Sequence, residues 1–316
     1  MSSPTFPSYP HCAGLAQGFR VSIIQEKNMS LWLDMLGAEI RFVETRNFGR
    51  IRIAEAGKEN SETILFQHGI NGHLEAYAKN IIALADEFHV IAFDYVGHGL
   101  STKKDMEYSP LVLADQLAEL MDALGLEKAH LSGESLGGWT SAHFAVKYPE
   151  RIGRLMLNTA AGLPIATEKG KQDLKNLIEL NKRNINNVPS YESVEARMHW
   201  LMHENNKALV NEELVNLRLG IYLKPETRAI ASKITEIIIR HDDYLIPLDK
   251  VACETLFLWT EDNPIHDIET ARAASARIPG SKLYVMQGDS AHWPQYEAPD
   301  EFNRITTRFF KTGQID

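Results

Sequence analysis

A serine flanked by glycines lies where the chain is best suited to do chemistry. The run Gly133-Glu134-Ser135-Leu136-Gly137 has the form G-x-S-x-G. A strand-like apolar segment, 128–131, precedes it, and a helix-like segment, 140–148, follows it. A tight turn between a strand and a helix lifts the serine hydroxyl out of the sheet, and glycines on both sides avoid a clash. We therefore predict a nucleophile elbow with Ser135 as the nucleophile.

A serine hydroxyl is a weak nucleophile, so it needs a base within reach and an acid that orients the base. The elements that must position these groups are strands and helices in alternation. Two segments of period two, 38–43 and 50–54, predict an antiparallel hairpin. Buried strands are then expected at 62–67, 89–94, 128–131, 154–158, 255–259 and 282–286. Strands that alternate with helices predict an α/β protein with a mostly parallel, doubly wound sheet.

This alternation stops between about Ala161 and Pro247, where the chain is polar and helix-like. A helical excursion between two sheet strands is typical of a lid or cap. We expect an N-terminal extension over residues 1–36 and a core formed by residues 37–160 and 249–316. The helical lid is expected over residues 161–248.

These features together resemble the α/β-hydrolase superfamily over roughly residues 37–316. In that fold the nucleophile is followed along the chain by the acid and then by the histidine, each after a strand. Strand 255–259 is followed by Glu261 and Asp262, and Asp262 is the better candidate for the acid. The last strand is followed by His292, which we predict to be the base.

The oxyanion formed during attack on a carbonyl requires two N–H donors. We expect them to be the backbone N–H groups of Leu136, which follows the serine, and Ile70, which follows His68-Gly69. The sequence has no H-E-x-x-H motif, no other metal-ligand spacing and no dinucleotide fingerprint. It therefore predicts neither a metal nor a cofactor.

Composition argues against several other classes of protein. The chain has 316 residues, a formal net charge of −9 and no cluster of basic residues, which argues against nucleic-acid binding. No apolar run approaches the length of a membrane span, and the N-terminus has no signal-peptide pattern. The two cysteines, Cys12 and Cys253, form no disulfide framework, so a cytoplasmic location is the default expectation.

Two further segments resemble the meta-cleavage product hydrolases, which are carbon–carbon bond hydrolases of the same superfamily. One is the run 291–297 with 300–304 after it, and the other is 211–218 in the helical region. The resemblance implies a small-molecule substrate, a vinylogous 1,5-diketone from aromatic ring fission, with no cofactor. It also implies a homo-oligomer, for which we expect a dimer. By this likeness Arg218 binds the substrate carboxylate, and Trp293 lines the pocket beside His292.

Two departures from that family bear on the substrate. Glu134 precedes the nucleophile where the family usually has asparagine, and Ile70-Asn71-Gly72 replaces a run of the Gly-Pro-Gly type. An ionised Glu134 in the pocket would repel a substrate carboxylate. Glu134 is therefore protonated or paired, or it points away, or the substrate is not the usual dienoate.

The predicted function is cofactor-independent hydrolysis of a C–C bond by Ser-His-Asp chemistry. The leaving carbanion must depart as an enol or enolate, so the substrate is first converted from its dienol to its keto form. An ester needs only the later steps, so the same residues would serve a carboxylesterase or a lactonase. A third alternative is a non-catalytic receptor of the same fold whose lid closes on a small molecule.

Overall fold

The structure is a computed structural model that describes residues 30–185 and 187–316. Within this range the strands form one eight-stranded sheet in the order β1-β2-β4-β3-β5-β6-β7-β8. The strands are β1 (Glu39–Thr45), β2 (Gly49–Ala56), β3 (Thr63–Gln67), β4 (His89–Phe93), β5 (Ala129–Glu134), β6 (Ile152–Asn158), β7 (Thr255–Trp259) and β8 (Lys282–Val285).

The sheet has the predicted doubly wound form with an antiparallel edge. β1 pairs with β2, and β2 with β4, in antiparallel register, whereas every other neighbouring pair is parallel. β3, β5 and β7 are buried along their whole length, as expected for parallel strands covered on both faces. The carboxyl ends of β3, β5, β7 and β8 therefore meet at one edge of the sheet.

Helices cover both faces of the sheet. They are α1 (Leu31–Asp34), α2 (Ala78–Ile81), α3 (Pro110–Ala123), α4 (Leu136–Lys147), α5 (Glu168–Asn184), α6 (Tyr191–Leu201), α7 (Glu212–Tyr222), α8 (Pro225–Ile239), α9 (Ile268–Ser275), α10 (Pro294–Glu297) and α11 (Pro299–Thr312). None of these is long and apolar enough to cross a membrane in the part of the chain that the structure describes.

Four helices, α5 to α8, occupy the chain between β6 and β7, and we call them the helical segment. They occur where the sequence predicts helices, and the described residues of this segment contain no strand. Their apolar side chains join the two apolar clusters of the core: Met198 and Leu214 pack into one, and Ile230 and Ile237 into the other. The helical segment is therefore packed against the sheet domain along its apolar sides.

The described chain begins against this helical segment. The side chain of Ser30 caps α1 and donates a hydrogen bond of 2.7 Å to Glu213 in α7. The backbone N–H of Leu31 donates to the same carboxylate at 2.9 Å. Residues 1–29, which make up most of the expected N-terminal extension and include Cys12, lie outside the described residues.

Candidate active site

Ser135 occupies the turn between β5 and α4. Its φ of 53° and ψ of −113° lie in a sparsely populated backbone region, which non-glycine residues adopt only where the surrounding structure holds them there. A Cβ at Gly133 would lie 2.0 Å from the carbonyl carbon of Gly137, and a Cβ at Gly137 would lie 2.1 Å from the Gln67 oxygen. The glycines on both sides of Ser135 are thus required by close backbone contact, as the motif predicts.

His292 lies in the loop after β8 and is 3% exposed. Its Nδ1 is 3.2 Å from Oδ1 of Asn263. The same oxygen accepts hydrogen bonds from the backbone N–H groups of Ile265 and His266, at 3.0 and 3.1 Å. These two donors require the Asn263 oxygen, not its NH₂ group, to face His292. Nδ1 of His292 therefore carries a hydrogen and donates it to Asn263.

The structure does not bring Asp262 to His292, and this corrects the expected acid of the site. The Asp262 side chain is 70% exposed and lies 3.3 Å from Nε2 of His203. The second candidate, Glu261, is also exposed and lies 3.9 Å from Arg272. The physical reason is local: the Asn263 side chain accepts the N–H two residues ahead, a turn that asparagine before Pro264 favours, and this directs residue 263 inward. Its neighbour Asp262 is left facing solvent.

Glu134 contacts His292 from the opposite side. Its Oε1 lies 3.0 Å from Nε2 of His292, and its Oε2 accepts the backbone N–H of Gly69 at 2.6 Å. The Glu134 and His292 side chains are 2% and 3% exposed. The sequence left open whether Glu134 is protonated, paired or turned away from the pocket. In the structure it is paired with His292. Among the described residues, the Ser135 hydroxyl makes no hydrogen bond, because Nε2 is engaged by Glu134.

The two expected oxyanion donors, Ile70 and Leu136, line the cavity above Ser135. Leu136 is the first residue of α4, so its N–H has no acceptor within the helix. Ile70 follows Gly69, whose own N–H is used by Glu134. The geometry leaves the N–H groups of residues 70 and 136 for a ligand.

Arg218 and Trp293 lie together in the cavity wall. Arg218, in α7, is 3% exposed, and its guanidinium carbon lies 4.9 Å from the centre of the Trp293 ring. One guanidinium nitrogen is 2.9 Å from the sulfur of Met198, and Nε is buried with no hydrogen-bond partner among the described residues. Arg218 forms no ion pair with any acidic side chain of residues 30–185 or 187–316.

Sequence reasoning missed a second cation, Arg197 of α6, in the same cavity. Burial and the neighbouring charge of Arg218 lower the pKa of Arg197 to about 10. Arg197 stacks on Trp200 at 4.6 Å and also lacks an acidic partner within the described chain. Its position in a polar helix gave no sequence signal, because only packing determines which face of α6 meets the cavity.

The cavity is lined by every predicted site residue except Asp262. Part of the cavity wall is formed by apolar side chains of the helical segment, namely Leu174, Leu177, Ile237 and Ile238. In the part of the chain that the structure describes, no group of three His, Cys, Asp or Glu side chains is arranged to hold a metal.

The helical segment also holds the loop that carries His292. The backbone N–H of His292 donates to the Leu201 oxygen at 3.0 Å. Buried Glu297 accepts the N–H groups of Ala291 and Trp293 through one oxygen and that of His203 through the other. Burial raises the pKa of this carboxyl, and the three N–H groups oppose that rise.

Comparisons with known proteins agree with this fold. The model of the α/β hydrolase fold family matches residues 62–299. A 2-hydroxy-6-oxo-6-phenylhexa-2,4-dienoate hydrolase of Comamonas testosteroni is 30% identical over 83% of this chain and 91% of its own length. A 2-hydroxy-6-oxononadienedioate/2-hydroxy-6-oxononatrienedioate hydrolase of the same organism is 29% identical over 84% of this chain and 92% of its own.

A solved structure of similar fold is a meta-cleavage product hydrolase from Pseudomonas fluorescens. It has a TM-score of 0.72 and 23% identity, and it covers 87% of this chain and 98% of its own. The family match spans most of the chain, and the eight-stranded, mostly parallel sheet flanked by helices is that of the fold. The chain is a hydrolase and belongs to the α/β hydrolase family.

Proposed function

We propose that this hydrolase cleaves a C–C bond in a vinylogous diketone acid of the meta-cleavage type, with Ser135 as nucleophile and His292 as base. The names of its relatives support the reaction class. The observation that carries the substrate class is the pair of cavity arginines, Arg197 and Arg218, which have no acidic partner among the described residues. A charge withdrawn from water is costly unless it is paired, so an anionic substrate is the missing partner.

The arrangement of the cavity suits each step of this reaction. After ketonisation, the Oγ–H bond of Ser135 breaks as its proton moves to Nε2 of His292, and Oγ bonds to the carbonyl carbon. The carbonyl π electrons move onto oxygen, where the N–H groups of Ile70 and Leu136 stabilise them. The C–C bond then breaks, its electron pair enters the conjugated leaving group, and His292 returns the proton to that carbon. Water releases the acyl group from Ser135.

Two arginines also suit a substrate with two carboxylates. Arg218, against Trp293, is the expected ligand of the dienoate carboxylate. Arg197, on the neighbouring helix, then binds a second acid group of the substrate. The name of the nonadienedioate hydrolase relative is consistent with such a dicarboxylic acid.

The first test measures loss of dienoate absorbance and release of p-nitrophenol from esters, for the wild type and Ser135→Ala. We expect dienoate turnover to exceed ester turnover and to depend on Ser135. Ester cleavage alone would identify a carboxylesterase or lactonase instead. Turnover of neither substrate, with binding retained, would favour a receptor.

The substrate class is tested with a monocarboxylic dienoate, a dicarboxylic dienoate and a neutral ester. Arg218→Ala should lower kcat/KM for both acids about 10- to 100-fold, because it removes a charged hydrogen bond, and should spare the ester. Arg197→Ala should have its large effect on the dicarboxylic acid. Arg183→Ala is the matched control, since Arg183 is an exposed helix arginine of the same segment. Equal losses on all three substrates would make Arg218 a structural residue.

A further inference from the structure

The carboxylate of this active site lies on an unusual side of the histidine. In serine hydrolases the acid faces Nδ1 of the histidine and stabilises the imidazolium that forms during attack. Here Nδ1 faces a neutral amide, Asn263, and the carboxylate of Glu134 faces Nε2. We propose that Glu134 supplies the acid of the catalytic centre and that Asn263 only orients His292. The proposal rests on Ser135 and His292 acting as in the proposed function.

The Nδ1 side provides orientation without charge. Asn263 is 5% exposed, and its oxygen is held by the N–H groups of Ile265 and His266 as well as by His292. It therefore keeps the hydrogen of neutral His292 on Nδ1 and leaves the lone pair on Nε2, the form that a base requires. A neutral amide does not balance the positive charge that appears when His292 accepts the serine proton.

The Nε2 side provides the missing charge. Glu134 is the one carboxylate in contact with His292 among residues 30–185 and 187–316. Both groups are almost fully buried, and a charged hydrogen bond is stronger where water is excluded. The carboxylate that contacts the histidine usually comes from the loop after the seventh strand. Here it comes from Glu134, the residue before the nucleophile.

Gly69 holds the Glu134 carboxylate in place and leaves room for it. Oε2 of Glu134 is tethered by the N–H of Gly69, which leaves Oε1 aimed at Nε2. A Cβ at residue 69 would lie 2.6 Å from both Glu134 oxygens, so the glycine makes room for the contact. Glu134 is thus held on the far side from Asn263, with the histidine between them.

The arrangement also links Glu134 to the nucleophile, because the two residues are adjacent in the chain and use the same nitrogen. In the contact described, a second hydrogen, besides the one on Nδ1, lies between Nε2 and Oε1. Transfer of this proton to solvent water frees the Nε2 lone pair for the Ser135 hydroxyl and leaves Glu134 as a carboxylate. When the Oγ–H proton then moves to Nε2, the new imidazolium lies within reach of the Glu134 carboxylate. Glu134 acts through His292 and forms no bond to the substrate.

The test moves the charge from one side of the histidine to the other. Glu134→Asn should lower kcat on the order of 10²-fold with a small change in KM, since acid–base assistance is lost and the binding groups remain. Asn263→Asp alone should also lower kcat, because the site would then hold two buried carboxylates beside one histidine. The double variant should recover most of the wild-type kcat, because it restores one carboxylate, now on Nδ1.

Glu134→Gln provides a second variant that keeps an acceptor for the Gly69 N–H, and it should lose kcat as Glu134→Asn does. Wild-type kcat in folded Glu134→Gln would overturn the proposal, and so would failure of Asn263→Asp to raise kcat in the Glu134→Asn background. The assays use p-nitrophenyl acetate as well as dienoates, so an enzyme that cleaves only esters still tests Glu134. Retained activity in Ser135→Ala would instead remove the nucleophile on which the proposed function rests.

Discussion

At the scale of single residues, neighbours in the chain take opposite roles. Asp262 and Asn263 follow the same strand, yet one is exposed beside His203 and the other accepts a hydrogen bond from His292. Residue type alone favours the aspartate, because a carboxylate is the common partner of a catalytic histidine. The turn instead points Asn263 toward His292, because two backbone N–H groups donate hydrogen bonds to the Asn263 oxygen.

These two positions give a direct comparison. Asp262→Asn should leave kcat within about twofold of the wild type, because exposed ion pairs contribute at most about 1 kcal/mol. Asn263→Ala removes the acceptor that orients His292, and such a misplacement should cost about 10²-fold in kcat. Steady-state kinetics on one ester and one dienoate measures both. A larger loss of kcat in Asp262→Asn than in Asn263→Ala would identify Asp262 as the residue that orients His292.

At the scale of elements, the elbow depends on how closely α4 approaches β3 and β5. Gly137 lies in the first turn of α4, with the Gln67 backbone directly beside it. This contact brings the start of the helix, and with it the Leu136 N–H, next to the strand that leads to Ile70. A glycine in this position therefore serves packing as well as the turn.

Gly137→Ala should lower the free energy of unfolding by about 1–3 kcal/mol, because the added Cβ overlaps backbone that cannot move freely. Denaturant unfolding provides the measurement. The matched control is Gly220→Ala in α7, where an added Cβ meets nothing within 4 Å. That substitution should stabilise the protein by roughly 0.5–1 kcal/mol, since alanine favours the helix. Equal effects at both positions would contradict the close approach at the elbow.

At the scale of the whole molecule, the active site is assembled from the sheet domain and the helical segment together. The sheet contributes Ser135, Glu134 and His292, and the helical segment contributes Arg197 and Arg218. Glu297 joins the two parts, because it accepts N–H groups from the His292 loop and from His203. The histidine is thus positioned partly by helices that lie far from it in sequence.

Glu297→Gln should loosen this junction. Glutamine has one acceptor oxygen where glutamate has two, so an N–H donor on one side is left without a partner. We expect the free energy of unfolding to fall by about 1–3 kcal/mol, and kcat to fall more than KM changes. Glu236→Gln, at an exposed position of α8, is the control and should change stability by less than about 0.5 kcal/mol. A wild-type kcat in Glu297→Gln would show that His292 is held without this link.

The sequence by itself determined the parts of this protein that depend on local pattern and chain order. Glycine spacing around Ser135 predicts the elbow, because the clash that Gly133 avoids is with Gly137, only four residues along the chain. Apolar runs in alternation with helices require the parallel sheet, and chain order places His292 after the last strand. The helices between β6 and β7 follow from the same patterns.

Only the tertiary structure decided which groups meet. The turn after β7 determines which side chain points toward His292. It points Asn263 toward His292 and leaves Asp262 exposed to solvent. The pairing of Glu134 with His292 joins residues far apart in sequence. The presence of Arg197 in the cavity depends on which face of α6 meets it. Burial and contact between distant segments have no local signature in the sequence. They place the Glu134 carboxylate at Nε2 of His292 and bring both arginines to the cavity.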